Sequence, residues 1–513
     1  MEALSVKDLT FTYPRCGSPA IENVGFSLGE GTLNLLFGPT GCGKSTLLSC
    51  IKKEVRPSGE MSGEIKIDSR DADSLPQSDI GFVFQDPEHQ TVTDKVWHEL
   101  AFAPENMGLP PAEIRRRSAE AAGVCGLSPF YEEKISELSG GQKQAVAVAS
   151  VLTMRPKLLL LDEPASSLDP RSASNLFWSL RKLVNETGIT VLISEHRLSE
   201  LLPICDSAIA MEAGRIRASG TPAEVCAELM KDRDFFPMMP AAVKVFSATG
   251  GQGECPLTVA EGRRYFKNSG AKPEEKEYPP EQKLPAFAAE LKSVMFRYKK
   301  DSPDILSDVC LNVRKGAITC VVGENGSGKT TLLGVLAGTK KAYAGSVRIF
   351  GKKISSYAPG ELYDSCVALL PQDVRTLFLS KTVAEELGGK PENVPEGFDW
   401  DKLRDRHPYD LSGGEQELLG LMKVTAQAPK LLLLDEPTQG LDARSKQMLG
   451  RALKKLKENG TTIVAVTHDI DFADDVADRC ALLFRGSIIC EEPVNTFMDN
   501  NILYTTDVRK IVR

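Results

Sequence analysis

The apolar residues of this chain gather into short, nearly unbroken runs, and the runs come in pairs. Leu33-Asn34-Leu35-Leu36-Phe37, Leu158-Leu159-Leu160-Leu161 and Val191-Leu192-Ile193 stand in the first half. Ile318-Thr319-Cys320-Val321-Val322, Leu431-Leu432-Leu433-Leu434 and Ile463-Val464-Ala465-Val466 stand in the second. A run that is apolar on both faces predicts a parallel strand covered from both sides. Ile80-Gly81-Phe82-Val83-Phe84 and Val367-Ala368-Leu369-Leu370-Pro371 read as a further strand pair. Pro111 to Cys125, rich in Ala, Glu and Arg, reads as a helix. The pattern predicts an α/β fold occurring twice.

The spacing of the repeat says where the copies diverge. Lys44 and Lys329, in matching glycine-rich loops, are 285 positions apart, and Gln85 and Gln372, which follow the strand-like runs, are 287 apart. Gly140 and Gly413 are 273 apart, as are Asp162 and Asp435, and His196 and His468 are 272 apart. The second copy is therefore 14 residues shorter between the glutamine and a Ser-Gly-Gly motif. Length varies most easily in parts that stand off a core. The expected division is 1–225, a linker or docking segment at 226–287, and 288–513. Lys272-Pro273-Glu274-Glu275-Lys276-Glu277-Tyr278-Pro279-Pro280 has the charged, proline-rich composition of a linker. Phe235-Phe236-Pro237-Met238-Met239-Pro240 is too apolar for one and is expected to dock on one of the halves.

Composition narrows the class. The 513 residues exceed one core, and 62 basic against 70 acidic side chains leave a net charge of −8. That balance argues against a nucleic-acid partner, for which a basic stripe is the usual footprint. The 12 cysteines show no C-x-x-C pair, as in a reduced cytosolic protein. No run of about 20 apolar residues offers a membrane span, and Met1–Asp8 lacks the features of a secretion signal. A membrane role is expected to come through a partner.

The chemistry starts at the loop lysines. Gly38-Pro39-Thr40-Gly41-Cys42-Gly43-Lys44-Ser45 and Gly323-Glu324-Asn325-Gly326-Ser327-Gly328-Lys329-Thr330 both fit G-x-x-x-x-G-K-[ST]. Glycines there let backbone N–H groups cradle phosphates, the lysine reaches the β- and γ-phosphates, and Ser45 or Thr330 can ligate Mg²⁺. Thr46 and Thr331 follow directly and are counted with the nucleotide-binding residues. Cys42 reads as a small residue that fits this loop.

Downstream, in order, come Gln85, Leu138-Ser139-Gly140-Gly141-Gln142, Asp162-Glu163, Ser167-Leu168-Asp169 and His196. The second copy has Gln372, Leu411-Ser412-Gly413-Gly414-Glu415, Asp435-Glu436, Gly440-Leu441-Asp442 and His468. This ordered set resembles the ABC ATPase family over nearly the whole chain outside the linker. The resemblance implies two P-loop nucleotide-binding domains in tandem, each a RecA-like α/β core with an antiparallel β portion and a helical subdomain. An Asp ending an apolar strand (Asp162, Asp435) is placed to hold Mg²⁺, and the adjacent Glu163 or Glu436 to act as general base on water. His196 and His468 are placed to bond the γ-phosphate, and Gln85 and Gln372 to reach both metal and water. Ser139 and Ser412 read as N-caps of helices whose glycines, Gly140, Gly141, Gly413 and Gly414, leave N–H groups open to an anion. In the family this segment completes the site of the opposite half, which implies two composite ATP sites. Tyr13 and Tyr298 match the aromatic that stacks on adenine. Glu415 departs from the more usual glutamine, and Ala145 and Leu418 stand where an arginine is common.

Phe84-Gln85-Asp86-Pro87-Glu88-His89-Gln90, leading into Val96-Trp97-His98-Glu99-Leu100-Ala101-Phe102-Ala103-Pro104-Glu105-Asn106, is similar to the acidic helix of energy-coupling factor (ECF) and cobalt-type ATPases. Thr382-Val383-Ala384-Glu385-Glu386-Leu387 is its second copy. A solvated helix face is the plainer alternative for Glu99, Glu105 and Glu386. The ECF resemblance implies ATP-driven uptake of a vitamin, vitamin precursor or metal ion. Its implied partners are an integral-membrane coupling subunit and a substrate-binding membrane subunit, at the cytoplasmic face of the membrane. The alternatives are the ATPase of another ABC importer and a soluble tandem ABC protein acting in translation. The latter is expected to carry a basic helical linker or an iron–sulfur cysteine cluster, and neither is present in this sequence.

Overall fold

Each apolar run becomes a strand. The computed structural model describes residues 2–14, 16–87, 90–166, 168–272, 286–358, 360–391 and 393–513. Glu88, His89, Ser167 and most of the proline-rich linker (273–285) lie outside the described residues. The chain divides into two units, Met1–Ala271 and Lys272–Arg513.

In the first unit, β1 (Glu2–Thr12), β2 (Ile21–Gly29), β3 (Leu33–Phe37), β4 (Glu60–Ile67), β5 (Arg70–Asp71), β6 (Ile80–Val83), β7 (Leu158–Asp162), β8 (Thr190–Ser194), β9 (Ser207–Glu212) and β10 (Arg215–Gly220) form two sheets. One is antiparallel with order β2-β1-β4-β5. The other has order β10-β9-β3-β8-β7-β6 and is parallel apart from the edge pair β9–β10. Side chains of the parallel strands alternate between two cores, as the period of two requires. Leu33, Leu35, Phe37, Leu159 and Leu161 face the helices. Leu36, Leu158 and Leu160 meet Leu4, Val6, Leu9 and Phe11 of the antiparallel sheet. Each such leucine contributes about 1.5–3 kcal/mol by leaving water.

The second unit repeats this with β11 (Phe287–Phe296), β12 (Leu306–Arg314), β13 (Ile318–Val322), β14 (Ala344–Ile349), β15 (Lys352–Lys353), β16 (Val367–Leu370), β17 (Leu431–Asp435), β18 (Thr462–Thr467), β19 (Arg479–Phe484) and β20 (Ser487–Pro493). The orders are β12-β11-β14-β15 and β16-β17-β18-β13-β19-β20. In both units the strand feeding the glycine-rich loop lies inside the parallel sheet, so the loop springs from a rigid base.

The length difference has a structural address. The first unit has helices Val96–Asn106 and Pro111–Val124, and Val96, Leu100, Ala121, Ala122, Leu127, Ile135, Leu138, Val146 and Ala149 form a core of their own. Among the described residues the second has the short helices Val383–Leu387 and Trp400–Leu403 in their place. Val383, Trp400, Leu403 and Leu411 there join the main core beside Leu432 and Leu434. The insert of the first half carries a separate hydrophobic cluster, whereas that of the second leans on its neighbour.

Residues 226–271 form part of the first unit. The ring of Phe235 is fully buried and meets that of Phe37 edge-on at 6.0 Å. Val243, Phe246 and Cys255 join the same core, and helices Ala241–Ala248 and Val259–Ser269 follow. The apolar content that argued against a free linker is spent on this packing. Among the described residues, no helix is long and apolar enough to cross a membrane.

Candidate functional site

The glycine-rich loops are shaped by contacts only glycine allows. Gly41 and Gly43 have φ of 79° and 105°, and Gly326 and Gly328 have 78° and 105°, in the left-handed region. A Cβ on Gly38 would sit 2.1 Å from the Met211 carbonyl oxygen, and one on Gly323 would sit 2.4 Å from that of Leu483. The loops therefore wrap tightly and end at the N-termini of helices Lys44–Ile51 and Lys329–Leu336. Free N–H groups at such termini favour an anion.

Both lysines are buried and turned into their own loops. Lys44 Nζ donates to Gly38 O at 3.1 Å and Pro39 O at 3.4 Å. Lys329 Nζ donates to Gly323 O at 2.8 Å and Glu324 O at 3.1 Å. A cation inside a ring of backbone dipoles suits a phosphate in the same ring. Ser327 Oγ, buried in the second loop, has no hydrogen-bond partner.

The candidate acids come to these lysines from the ends of β7 and β17. Lys44 Nζ lies 3.6 Å from Glu163 Oε1, which lies 2.9 Å from His196 Nε2. Glu163 Oε2 accepts from Gln85 Nε2 at 3.2 Å. Lys329 Nζ lies 3.1 Å from Glu436 Oε1, and His468 Nδ1 lies 2.8 Å from Glu436 Oε2. Both glutamates have positive φ, 43° and 49°, a conformation rare for a residue with a Cβ. Strain of this kind is retained where the surroundings over-determine it, and it clusters at functional sites. Burial works to raise the Glu163 and Glu436 carboxyls. The histidine bond and charge together with the lysine outweigh it and hold both below the ordinary value. Both are thus ionised acceptors at neutral pH.

Asp162 and Asp435 behave oppositely. Burial raises both, against hydrogen bonds from Ser194 and Ser45 in the first unit and Thr330 in the second. Ser194 Oγ donates to Asp162 Oδ1 at 2.7 Å, and Thr330 Oγ1 to Asp435 Oδ1 at 3.1 Å. A buried carboxylate beside a hydroxyl is an oxygen-donor set that fits Mg²⁺, which prefers carboxylate, hydroxyl and phosphate oxygens.

Tyr13 and Tyr298 sit at matching places, with hydroxyls 3.0 and 3.2 Å from Thr46 and Thr331 Oγ1 and rings edge-on to Phe11 and Phe296. Tyr298 also carries the Lys340 ammonium 4.7 Å above its ring.

Ser139 and Ser412 cap helices Gly140–Leu152 and Gly413–Thr425, each in a reciprocal capping box. Glu415 fills the role of Gln142: its Oε2 accepts the Ser412 N–H at 2.8 Å, as Gln142 Oε1 accepts that of Ser139. Either residue satisfies a capping box, which explains why the departure is tolerated. The second glycine of each pair is set by packing. A Cβ on Gly414 would meet Ser445 Oγ at 2.2 Å, and one on Gly141 would meet Ser172 Oγ at 3.1 Å.

Several features escape sequence reading. Gln85 bonds Glu163, but Gln372 donates to Gln439, whose counterpart is Ser166. Glu195, buried beside His196, is pushed up to about 7 by burial. Glu417 is likewise raised to about 8, at the position of Gln144. Glu99 and Glu386 are not on a solvated face. Glu99 is 5% exposed and its Oε2 accepts from Val92 N, Thr93 N and Thr93 Oγ1. Glu386 Oε2 accepts from Leu379 N and Ser380 N, and Oε1 pairs with Lys423. Both carboxylates tie down the segment after the glutamine, and only Glu105 is exposed. Cys42 is buried and its thiol is raised by that burial, so it packs as a small residue.

The family model of the ABC transporter matches residues 21–166 and again 306–439. A Bacillus cereus protein named as an ABC transporter ATP-binding protein is 37% identical over 99% of this chain and 94% of its own length. One from Streptomyces coelicolor is 34% identical over 99% and 96%. One from Clostridium tetani is 33% identical over 81% and 95%. Among solved structures, cbiO1 from Clostridium perfringens, titled as part of the ABC transporter complex cbiONQ, is 32% identical and covers 45% of this chain and 96% of its own, with a TM-score of 0.41. The doubled loop, the doubled acidic pair, the family model and the Bacillus, Streptomyces and Clostridium tetani relatives agree: the chain belongs to the ABC transporter family as a tandem ATP-binding subunit, an ATPase with two nucleotide-binding domains.

Proposed function

We propose that this subunit powers an ECF-type importer for a vitamin, a vitamin precursor or a metal ion. ATP would bind in two composite sites formed between its own halves, which act as a fused pseudo-dimer. One site joins Lys44, Asp162, Glu163 and His196 to Ser412, Gly413 and Gly414. The other joins Lys329, Asp435, Glu436 and His468 to Ser139, Gly140 and Gly141. The observation that carries the reading is the doubled contact of loop lysine, glutamate and histidine within about 4 Å, with neither copy lacking a member.

The lysines neutralise the β- and γ-phosphates, and the loop N–H groups orient them. Tyr13 and Tyr298 offer ring faces to the adenine, with Thr46 and Thr331 beside them. Glu163 and Glu436, kept ionised by their histidine and lysine neighbours, orient a water and accept its proton as its oxygen bonds the γ-phosphorus. The bond from that phosphorus to the bridging oxygen breaks, giving ADP and phosphate. His196 and His468 hold the γ-phosphate oxygens. Ser45, Gln85 and Asp162, and Thr330, Gln372 and Asp435, would hold Mg²⁺, which supplies neutralisation of the charge developing on the phosphate oxygens. Catalysis of this kind is mainly positioning and charge stabilisation.

The ECF assignment is supported by the sequence after Gln85 and Gln372. It is also supported by the two buried glutamates that brace it and leave Val92 and Leu379 exposed (66% and 89%) at matching positions. A membrane coupling subunit has an apolar tip to grip in each half, and a second, substrate-binding membrane subunit would sit with it at the cytoplasmic face. Purification from membranes of the source cell tests this. The expected result is co-purification with two integral-membrane proteins, one of them carrying the substrate. Recovery on ribosomes without a membrane partner would refute it.

A further inference from the structure

The halves differ in what holds the loop running from the candidate base to the next helix. In the first half that loop starts at Glu163 and ends at Asp169, the cap of helix Pro170–Thr187. The residues on either side of His196 reach into it. Glu195, 2% exposed, accepts the Ala165 N–H on Oε1 at 2.7 Å and the His196 N–H on Oε2 at 3.0 Å. Arg197 donates to the Leu168 carbonyl and lies 3.6 Å from Glu200. The Glu163 N–H is itself held by Ser194, through its carbonyl at 3.1 Å and its hydroxyl at 3.0 Å. Four consecutive residues, Ser194 to Arg197, therefore hold the loop from both ends.

The second half is built otherwise. Thr467 replaces Glu195, and its hydroxyl accepts from Asp469 N at 3.0 Å. Asp469 replaces Arg197. Its carboxylate caps Phe472 N at 3.0 Å and pairs with Lys446 at 2.6 Å, so it serves its own helix. The Glu436 N–H keeps its bond to the Val466 carbonyl at 2.9 Å, the His468 N–H donates to Glu436 Oε2 at 3.1 Å, and Gln439 accepts from Gln372, with no buried carboxylate or guanidinium from beside His468 reaching the loop among the described contacts. A buried carboxylate is costly, and an apolar residue would fill the space of Glu195 at less expense. Its bonds go to the backbone of the two segments that carry Glu163 and His196.

We propose that Glu195 and Arg197 are positioning residues for ATP hydrolysis at Glu163. They clamp the loop after that glutamate to the strand end bearing His196, a clamp that Glu436 and His468 do without. The proposal rests on Glu163 and Glu436 being the two bases. It makes the two sites unequal in a defined way: hydrolysis at Glu163 depends on its flanking clamp, and hydrolysis at Glu436 does not.

The test uses the full chain with enzyme in excess over ATP, so that a single turnover reports on one site. E195A in an E436Q background should slow phosphate formation by about 10-fold or more, since displacements of about 1 Å at a reacting group cost up to ~100-fold. Binding of methylanthraniloyl-ATP should change by no more than about twofold. E195Q, which keeps a carbonyl for Ala165 N–H, should recover most of the rate, and R197A should slow it by roughly threefold to 10-fold on the same reasoning. The same substitutions in an E163Q background should leave the rate unchanged. Equal slowing in both backgrounds, no slowing in the E436Q background, or a loss of nucleotide affinity matching the loss of rate would overturn the proposal. Undiminished hydrolysis by E163Q/E436Q would show instead that the bases themselves are misassigned.

Discussion

The two halves share their backbone at the phosphate loops and differ in several of the side chains that brace the segments around them. Strand order, the two left-handed glycines, the positive φ of Glu163 and Glu436 and the reciprocal serine caps are the same in both. These are features of backbone geometry, and at Gly38 and Gly323 beside them a Cβ would meet a carbonyl oxygen at 2.1 and 2.4 Å. What differs is Glu195 against Thr467, Ser166 against Gln439, Gln142 against Glu415, Gln144 against Glu417 and a helical insert that shrinks by 14 residues. A duplicated site can thus keep its geometry while each copy is braced by different neighbours.

The largest effect expected from a point change at both sites together is E163Q/E436Q. It should cut steady-state phosphate release by about 100-fold or more while ATP binding persists, because a general base contributes ~10²–10⁴-fold. The single variants then measure how unequal the sites are: identical residual rates would break the comparison drawn above.

Next come the inserts. Trp400 is buried in the main core of the second unit, whereas Leu100 lies in the separate cluster of the first. W400A should cost about 3–5 kcal/mol and L100A about 2–5 kcal/mol. The decisive contrast is where the loss appears. W400A should lower protection from hydrogen exchange across β17 and β18, while L100A should raise exchange mainly in residues 96–152. Uniform loss in both would show that the first insert has no independence.

A smaller, pH-dependent effect belongs to Glu417. Its folded value, about 8, lies above the ordinary carboxylate range near 4.5. The unfolded chain therefore ionises first as pH rises. Stability is full below about pH 4.5, is lost between there and pH 8, and stays reduced above. E417Q, which installs the residue of the first half, should stabilise the second unit by roughly 2–4 kcal/mol at pH 8 and by almost nothing at pH 4.5. Denaturant unfolding at the two pH values checks both the gain and its disappearance.

The smallest effect is expected at Glu415. Its carboxylate sits at the N-terminus of helix Gly413–Thr425, where the helix dipole would otherwise favour phosphate alone. E415Q preserves the capping box and, on the proposal that Ser412 contacts nucleotide, should tighten ATP binding by about threefold, in keeping with ~0.3–1 kcal/mol for a charge at a helix end. Titration with methylanthraniloyl-ATP in a K329A background, which removes the phosphate-binding lysine of the other site, reads it.

Much of this was legible before folding. The eight apolar runs became strands to within a residue or two, because a strand buried on both faces tolerates few polar residues and so writes itself as a continuous run. The loops were legible because their glycines are obligatory. The helix expected at Pro111–Cys125 forms at Pro111–Val124. The candidate site residues were picked by order and spacing, and the structure brings lysine, glutamate and histidine together in each half. Other parts were not legible. For Glu99 and Glu386 the sequence offered an ECF-like acidic helix or, as the plain alternative, a solvated face, and only the fold turns them inward onto backbone N–H groups seven and six residues earlier. Nothing in the sequence singles out Glu195 beside His196; its role depends on the distant Ala165 N–H that meets it.

By itself the sequence determined that there are two α/β units with two phosphate loops, and which residues stand at the ends of their strands. Those features depend on local rules: burial on both faces, freedom at φ above zero, and a carboxylate one step past an apolar strand. Tertiary structure alone decided which neighbour braces each catalytic candidate, where residues 226–271 pack, and which acids are buried. Those outcomes depend on contacts between segments far apart in the chain, where a buried charge is stable only if a distant backbone or cation meets it. The two halves spell nearly the same site and hold it by different hands.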